Sequence, residues 1–440
     1  MNPYVQYMYS YPHKTAYRPL SGLSLSEYAP LLKGEGHGLY LHIPFCQTKC
    51  GYCNLFSVTG QTQERIDRYL AAVEQQSRQY HEVLKPYQSV FSSLDIGGGT
   101  PLLLTERQLE RVFGSLNQYF QFSEDRRTGV ETAPNQTTRE KLAILKQAGV
   151  SRISMGIQSF SDKELGALRR QHNAKQAREA LTLIQSFDFS CVNVDFIYGI
   201  PGQTVNSLLA SLKEAISFEP DEIFIYPLYV KHGAGLEREG VVPEPEKALI
   251  QYRAARDFLK EAGFRQDSMR RFVKGSEERR FSECGYGTSL ALGCGGRSYL
   301  GRLHFCSPYA ITKKECLLRL DEYEQTEDYT KITHGILLSE EELKRRYVIR
   351  HLLIRPGLDL SRYYNTFGSQ VMEDFPLLCD WEKDGYLWRG EYLSLTDKGL
   401  ELSDYLGPHL ISPEIVTAMA EWEELYGKTY DSLPRQSEKL

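Results

Sequence analysis

The chain has 440 residues, and its 52 lysine and arginine residues against 57 aspartate and glutamate residues give a net charge of −5. This length predicts one large domain with additions, or two to three domains. Because the net charge is slightly negative, it gives no electrostatic reason to expect binding to nucleic acid or to a membrane surface. Ordinary fractions of hydrophobic (41%) and charged (25%) residues exclude global disorder. No run approaches the roughly 18 apolar residues of a membrane span, and the first 20 residues show no apolar stretch behind a basic one, as a signal peptide would, so we expect a cytoplasmic protein.

The first 36 residues are rich in tyrosine and proline, lack periodicity, and predict an N-terminal arm. From 37 to 265, six short apolar runs alternate with helical patterns. The runs cover residues 38–43, 93–96, 129–132, 152–155, 192–197 and 222–226, and the helical patterns cover 62–85, 105–120, 137–148, 174–186, 204–218 and 245–262. Such alternation predicts parallel strands joined by right-handed crossovers. Six units predict an α/β fold built on a partial (β/α)6 barrel.

The alternation stops after residue 265. Residues 266–338 contain the glycine-rich segments Gly285-Tyr-Gly287 and Gly293-Cys-Gly-Gly296 and predict an irregular accessory or linker region. Residues 339–440 predict a small C-terminal α+β domain in which a helix and a short hairpin resemble a winged helix. Because this stretch carries no basic surplus, we expect it to pack or to act as a lid rather than to bind DNA.

Three of the nine cysteines fall within eight residues, and their spacing indicates a metal centre. Cys46, Cys50 and Cys53 have the spacing C-x3-C-x2-C directly after the first predicted strand. A structural zinc ion normally takes four protein ligands, and no fourth cysteine or histidine lies nearby in sequence. A [4Fe–4S] cluster held by three cysteines would leave one iron open to another ligand. The spacing favours the cluster, while a zinc site completed from a distance and three unrelated cysteines remain alternatives.

The segment from Leu41 to Cys53, LHIPFCQTKCGYC, resembles the signature of the radical S-adenosylmethionine (SAM) superfamily. It is most similar to the branch that contains oxygen-independent coproporphyrinogen III oxidases, haem-chaperone relatives and class C methyltransferases. Further motifs of that branch follow in order, at residues 97–101, 131–134, 154–160 and 195–202. The resemblance covers roughly residues 35–265 and extends more weakly to the segment after 339. Each motif ends a predicted strand, where barrel enzymes assemble their active sites.

The resemblance implies that the three cysteines hold a [4Fe–4S] cluster whose free iron is chelated by SAM. It implies that the glycines of Gly97-Gly-Gly99, including Gly98, bind the SAM amino group, that Glu131 binds the ribose hydroxyls, and that Tyr40 contacts the same molecule. It also implies a second SAM in contact with a further set of residues: Tyr52, Gly99, Thr100, Gln158, Arg170 and Asp195. The structural alternatives are a tight turn for the glycines, a surface ion pair for Glu131, core packing for Tyr40 and a solvated charge for Arg170.

A family member of this kind would generate a 5′-deoxyadenosyl radical, take electrons from a donor such as flavodoxin or ferredoxin, and modify a small organic substrate. Radical methyl transfer and hydrogen abstraction both fit the resemblance. The branch's oxidases carry a further cysteine at the position of Leu55, and the haem chaperones carry a haem motif that residues 302–309 do not match. The sequence therefore favours a separate subfamily. A coproporphyrinogen III oxidase, a haem-binding chaperone and a purely structural metal protein remain alternatives.

Overall fold

The computed structural model describes residues 2–8, 10–231, 233–275 and 287–425. Its strands are β1 Arg18–Ser24, β2 His37–Ile43, β3 Phe45–Cys46, β4 Val58–Thr59, β5 Val90–Gly98, β6 Gln121–Thr132, β7 Arg152–Gln158, β8 Cys191–Tyr198, β9 Glu222–Pro227, β10 Arg265–Gln266, β11 Arg271–Val273, β12 Ser289–Leu292, β13 Arg297–Leu300, β14 Leu303–Cys306, β15 Lys331–Leu337, β16 Leu358–Asp359, β17 Leu387–Arg389 and β18 Tyr392–Leu395.

The α-helices are α1 Leu25–Tyr28, α2 Gln63–Leu84, α3 Glu106–Tyr119, α4 Arg139–Gln147, α5 Asp162–Ala167, α6 Ala174–Gln185, α7 Val205–Ile216, α8 Gly235–Arg238, α9 Pro245–Glu261, α10 Lys313–Glu324, α11 Glu340–Leu352, α12 Leu360–Phe367, α13 Val371–Asp374, α14 Leu377–Lys383, α15 Asp397–Glu401, α16 Ser403–Leu406 and α17 Pro413–Leu425. Within the described ranges, none of these helices combines the length and apolar character that crossing a bilayer requires.

The chain divides into two compact units. The larger unit contains Tyr17–Pro243 and Gly275–Leu337, and the smaller contains Met1–Ala16, Glu244–Lys274 and Leu338–Leu440. Both units are therefore assembled from segments that are distant in sequence. The division into four segments made from the sequence, with boundaries at 36, 265 and 338, stays a prediction.

A parallel sheet forms the centre of the larger unit and carries the six predicted strands in the predicted order. Strands β2, β5, β6, β7, β8 and β9 are neighbours in that order, and all five pairings are parallel. Fully buried aliphatic side chains such as Leu41, Ile153 and Val194 build its core. Helix starts follow the expected signals, since Thr105 caps α3 in a capping box with Gln108. This arrangement confirms the α/β fold with a partial (β/α)6 barrel.

The glycine-rich region differs from the irregular stretch that the sequence predicts. Strands β12, β13 and β14 lie in it, and β12 pairs in parallel with β2 as a seventh parallel strand. Gly293, Gly295 and Gly301 have positive φ angles and occupy the turns between these four-residue strands. The glycines therefore mark tight hairpins rather than an absence of structure. Gly285 and Tyr286, part of the other glycine segment, lie outside the described residues.

The predicted arm also contains regular structure. Strand β1 pairs antiparallel with β15 at one edge of the large sheet. The sequence pattern does not indicate this strand because none of its residues is buried and because it contains Pro19, which only an edge strand readily accepts.

The smaller unit contains the predicted winged-helix-like domain. Helices α11, α12 and α14 precede the hairpin β17–β18, and β16 pairs with β18 to complete a three-stranded sheet. The fully buried Trp381 anchors this part of the core. In the same unit, the hydroxyl of Tyr11 donates a hydrogen bond to the Glu342 carboxylate, so the first residues of the chain pack here.

Candidate active site

The three clustered cysteines lie on one loop that leaves the first strand of the barrel. Cys46 ends β3, which pairs with β4, and Cys50 and Cys53 occupy the connection between these two short strands. All three thiols are free and half-buried. Burial, followed by the neighbouring Cys50, raises the pKa of the Cys53 thiol to about 12. A metal centre reverses this preference because coordination deprotonates a thiol.

Two polar side chains contact the cysteine sulfurs directly. The guanidinium of Arg170 donates from Nη1 to Cys50 Sγ over 3.1 Å, and its Nη2 donates to the carbonyl of Gly156. Thr100 Oγ1 lies 3.8 Å from Cys46 Sγ. Arg170 and Thr100 are both predicted to contact SAM, and the structure places them beside the cysteines that are predicted to hold the cluster.

Gly97, Gly98 and Gly99 each stand where a side chain would collide with a different part of the site. A Cβ atom on Gly97 would lie 2.8 Å from the Glu131 carboxylate, and one on Gly99 would lie 2.5 Å from the carbonyl oxygen of Phe45. Gly98 has a φ of 117°, which favours glycine, and its N–H donates to Glu131 Oε2 over 3.1 Å. The three glycines form a cradle that any larger residue would fill.

Two carboxylates line the same cavity, with Glu131 open to it at the end of β6 and Asp195 half-buried in β8. Burial raises the pKa of Glu131 to about 7 and that of Asp195 to about 6. Asn193 Nδ2 donates to Asp195 Oδ1 over 2.8 Å and to Ser154 Oγ over 2.7 Å, which fixes the orientation of the Asp195 carboxylate. Both carboxylates are available to bind hydroxyl or ammonium groups of a ligand.

These elements converge on one cavity of about 240 Å³ in the larger unit. It is lined by eleven of the predicted site residues: Cys46, Cys50, Tyr52, Cys53, Gly98, Gly99, Thr100, Glu131, Gln158, Arg170 and Asp195. Tyr40 does not line it. Its hydroxyl is 3.1 Å from Nδ1 of His42, the ring that Gly98 packs against, so a contact between Tyr40 and SAM stays a prediction.

The cavity also contains residues that the sequence did not single out. Ser154 and Gly156 share a strand face with Gln158, and this period-two spacing could have identified them. Gly156 makes room for Gln158, because a Cβ atom there would lie 2.7 Å from its amide nitrogen. His172 comes from a turn between two helices, where periodicity gives no signal.

A further group of lining residues carries side-chain amides. Asn135 and Gln136 both donate to Gln47 Oε1 over 2.8 Å and so tie the cysteine loop to the loop after β6. Nothing in the local sequence pattern indicates this contact.

The donor set fits a [4Fe–4S] cluster and SAM. Three sulfur donors from one loop line a cavity that also offers a glycine cradle and two carboxylates. Within the described residues, no three His, Cys, Asp or Glu side chains converge closely enough to hold a single metal ion. A cubane cluster binds each thiolate through a different iron, so it requires no convergence on one point.

Comparisons with known proteins agree with this geometry. The family model described as "Radical SAM superfamily" matches residues 40–215. The heme chaperone HemW of Bacillus subtilis is 30% identical over 270 residues, which cover 60% of this chain and 70% of that protein. The oxygen-independent coproporphyrinogen III oxidase of Escherichia coli is 27% identical over 392 residues, 83% of this chain and 81% of that protein.

Among solved structures, coproporphyrinogen III oxidase (HemN) from Escherichia coli has the same fold. Its TM-score is 0.78 at 24% sequence identity, and the match covers 94% of this chain and 96% of that one. The motifs, the fold and these relatives together assign the chain to the radical SAM superfamily, in the branch of HemN and HemW, a family that uses a [4Fe–4S] cluster and SAM.

Proposed function

We propose that this radical SAM enzyme modifies a small organic substrate by radical methyl transfer or hydrogen abstraction, and that it binds two SAM molecules. The observation that carries the proposal is the convergence of the cysteine loop, the glycine cradle and two carboxylates on one cavity. When bound and reduced, the cluster would supply one electron to SAM, giving methionine and a 5′-deoxyadenosyl radical able to abstract hydrogen from a substrate or from a second SAM.

The chain's own residues have binding and positioning roles in this proposal. Cys46, Cys50 and Cys53 hold the cluster. Glu131, held in place by the N–H of Gly98, accepts hydrogen bonds from the ribose hydroxyls of the first SAM. Its carboxylate can accept two such bonds at once.

The second SAM meets a different set of groups. Asp195, oriented by Asn193, binds the ammonium group of this ligand. Arg170 joins this part of the cavity to the cluster loop through Cys50. Tyr52, Gly99, Thr100 and Gln158 complete the proposed contacts.

A second candidate function comes from the relatives. The sequence similarity to the Escherichia coli oxidase extends over 83% of this chain at 27% identity, which favours coproporphyrinogen III oxidation. Leu55 weighs against it, since this half-exposed leucine lines the cavity where the oxidases have a further cysteine by resemblance. The similarity to HemW also keeps haem binding open as an alternative.

Anaerobic reconstitution with iron and sulfide, followed by reduction in the presence of methyl-labelled SAM, tests the proposal. We expect 5′-deoxyadenosine release and, with a substrate-containing cell extract, transfer of label to a small molecule. Haem uptake without SAM cleavage would contradict the proposal and favour the chaperone function. Release of 5′-deoxyadenosine without label transfer would retain hydrogen abstraction and exclude methyl transfer.

A further inference from the structure

His172 lines the cavity, yet none of the roles above uses it. The residue is buried, with an exposed fraction of 4%. It lies directly before Asn173, the residue that caps α6, and two positions after Arg170. A buried imidazole in a ligand cavity needs hydrogen-bond partners for both ring nitrogens.

One ring nitrogen has a partner in the protein. Nε2 is 3.1 Å from the carbonyl oxygen of Ile157 in β7. A carbonyl oxygen can only accept, so Nε2 carries the proton in this hydrogen bond. Burial, and after it the positive charge of Arg170, lowers the pKa of His172 to about 3. The ring is therefore neutral at physiological pH, and Nδ1 has an available lone pair.

The second nitrogen has no partner among the residues that the structure describes. The backbone contact with Ile157 fixes the ring, so Nδ1 is a preorganised acceptor at the cavity. A ligand that presents no donor there would leave this acceptor unsatisfied, which costs binding free energy.

We propose that His172 is a ligand-binding residue. Its Nδ1 accepts a hydrogen bond from an uncharged N–H or O–H group of a SAM molecule bound in this cavity. The donor is uncharged because the neighbouring Arg170 disfavours a second cation, whereas Asp195 provides for the ammonium group. Hydroxyl groups of the ribose and the exocyclic amine of adenine are the SAM donors of this class. The inference rests on the proposal that SAM occupies the cavity.

Two substitutions separate this role from a structural one. His172→Gln retains both functions, because its amide nitrogen can donate to Ile157 and its amide oxygen can accept from the ligand. His172→Leu removes both. We expect SAM, titrated into the reconstituted holoenzyme, to bind about tenfold more weakly to the leucine variant and within about twofold of wild type to the glutamine variant. Iron content, measured in parallel, should be equal in all three proteins.

Equal SAM affinity of wild type and His172→Leu would overturn the inference. An equal loss of SAM affinity in both variants would also overturn it, because the glutamine side chain retains the hydrogen-bond acceptor and should preserve binding. The SAM stoichiometry of wild type tests the two-SAM proposal separately. If wild type binds one SAM, that proposal fails, and the affinity ratio between the variants still decides the role of His172.

A second measurement tests the inference even if the leucine variant does not fold. In wild-type holoenzyme with ¹⁵N-labelled histidine, the unprotonated Nδ1 resonance of His172, assigned by its loss in His172→Gln, should shift when SAM is added. An unchanged resonance at saturating SAM would contradict the inference.

Discussion

Replacing Gly99 with alanine should displace the first cluster cysteine. The new Cβ atom would lie 2.5 Å from the Phe45 carbonyl oxygen and 2.9 Å from Cys46 Sγ, against 3.4 Å or more for an ordinary contact. The Phe45 oxygen also accepts the N–H of Thr100 over 2.8 Å, so the two segments cannot separate without losing that hydrogen bond. The backbone angle at Gly99 lies outside the strained region, and the effect is therefore purely steric.

The overlap is about 0.9 Å, the difference between 3.4 and 2.5 Å. Overpacking of this kind typically costs about 1–3 kcal/mol. Because the obstructed atoms belong to Cys46 and its neighbour, we expect the loss to appear both in the free energy of unfolding and in iron content, which should fall to less than about half of the wild-type value.

Gly114→Ala provides the matched control. Gly114 is exposed in α3 with open space around its Cβ position, and alanine there should stabilise the helix by about 0.5–1 kcal/mol. Urea unfolding of the cluster-free proteins gives the stability, and iron analysis after anaerobic reconstitution gives the occupancy. If Gly99→Ala matches wild type in both stability and iron content, the steric argument is refuted, and the site does not depend on a glycine at position 99.

Three further predictions concern the cluster, the substrate and the second carboxylate. Wild-type protein should take up about four irons per chain, and Cys50→Ala should lose the brown chromophore and SAM cleavage. Cys379→Ala, a control in the smaller unit, should keep both, and retention by Cys50→Ala would contradict the cluster assignment. With Leu55 in place of the oxidase cysteine, holoenzyme should convert little or no coproporphyrinogen III under anaerobic reduction; efficient product formation, followed by fluorescence after oxidation, would make the oxidase function the better explanation. Because burial raises the pKa of Asp195 to about 6, its carboxylate is charged above that pH, and affinity for the second SAM should fall as the pH is lowered through 6. Asp195→Asn should bind weakly at every pH, and unchanged pH dependence in this variant would exclude Asp195 as the titrating group. The raised pKa also means that ionisation of Asp195 opposes folding, so the asparagine variant should gain stability at pH 7.5 but not at pH 4.

The strands that build the barrel were predictable because each contains a short apolar run, although in β6 the buried residues lie only in the last part of the strand. β2 and β8 illustrate this, with side chains buried on both faces of a parallel strand. Strands β12 to β14 were not predictable, since four residues between glycine turns are too short for a periodic signal. These strands are stabilised by hydrogen bonding to β2 and β15 rather than by the local propensity of their own residues.

The candidate site also contains residues that the sequence indicates and residues that it does not. Cys46, Cys50 and Cys53 are neighbours in sequence, so their spacing alone indicates a metal centre. The role of His172 depends on a carbonyl of Ile157, 15 positions earlier and on a different element, and no local pattern contains that relation. Tyr40 shows the converse case, because its motif position predicts a ligand contact, whereas its hydroxyl lies against His42.

The order of strands in the large sheet has a consequence for synthesis on the ribosome. β1 pairs with β15, with Ser24 opposite Lys331, and β2 pairs on one side with β12. At 5–20 residues per second, roughly 15–60 s of translation separate the first pair. β12 follows β2 by about 250 residues, with Gly38 opposite Ser289, so for roughly 12–50 s one edge of β2 has unpaired backbone groups, which can recruit other chains. The cysteine loop therefore emerges well before the strand that supports its sheet, and cluster insertion should follow release of the completed chain.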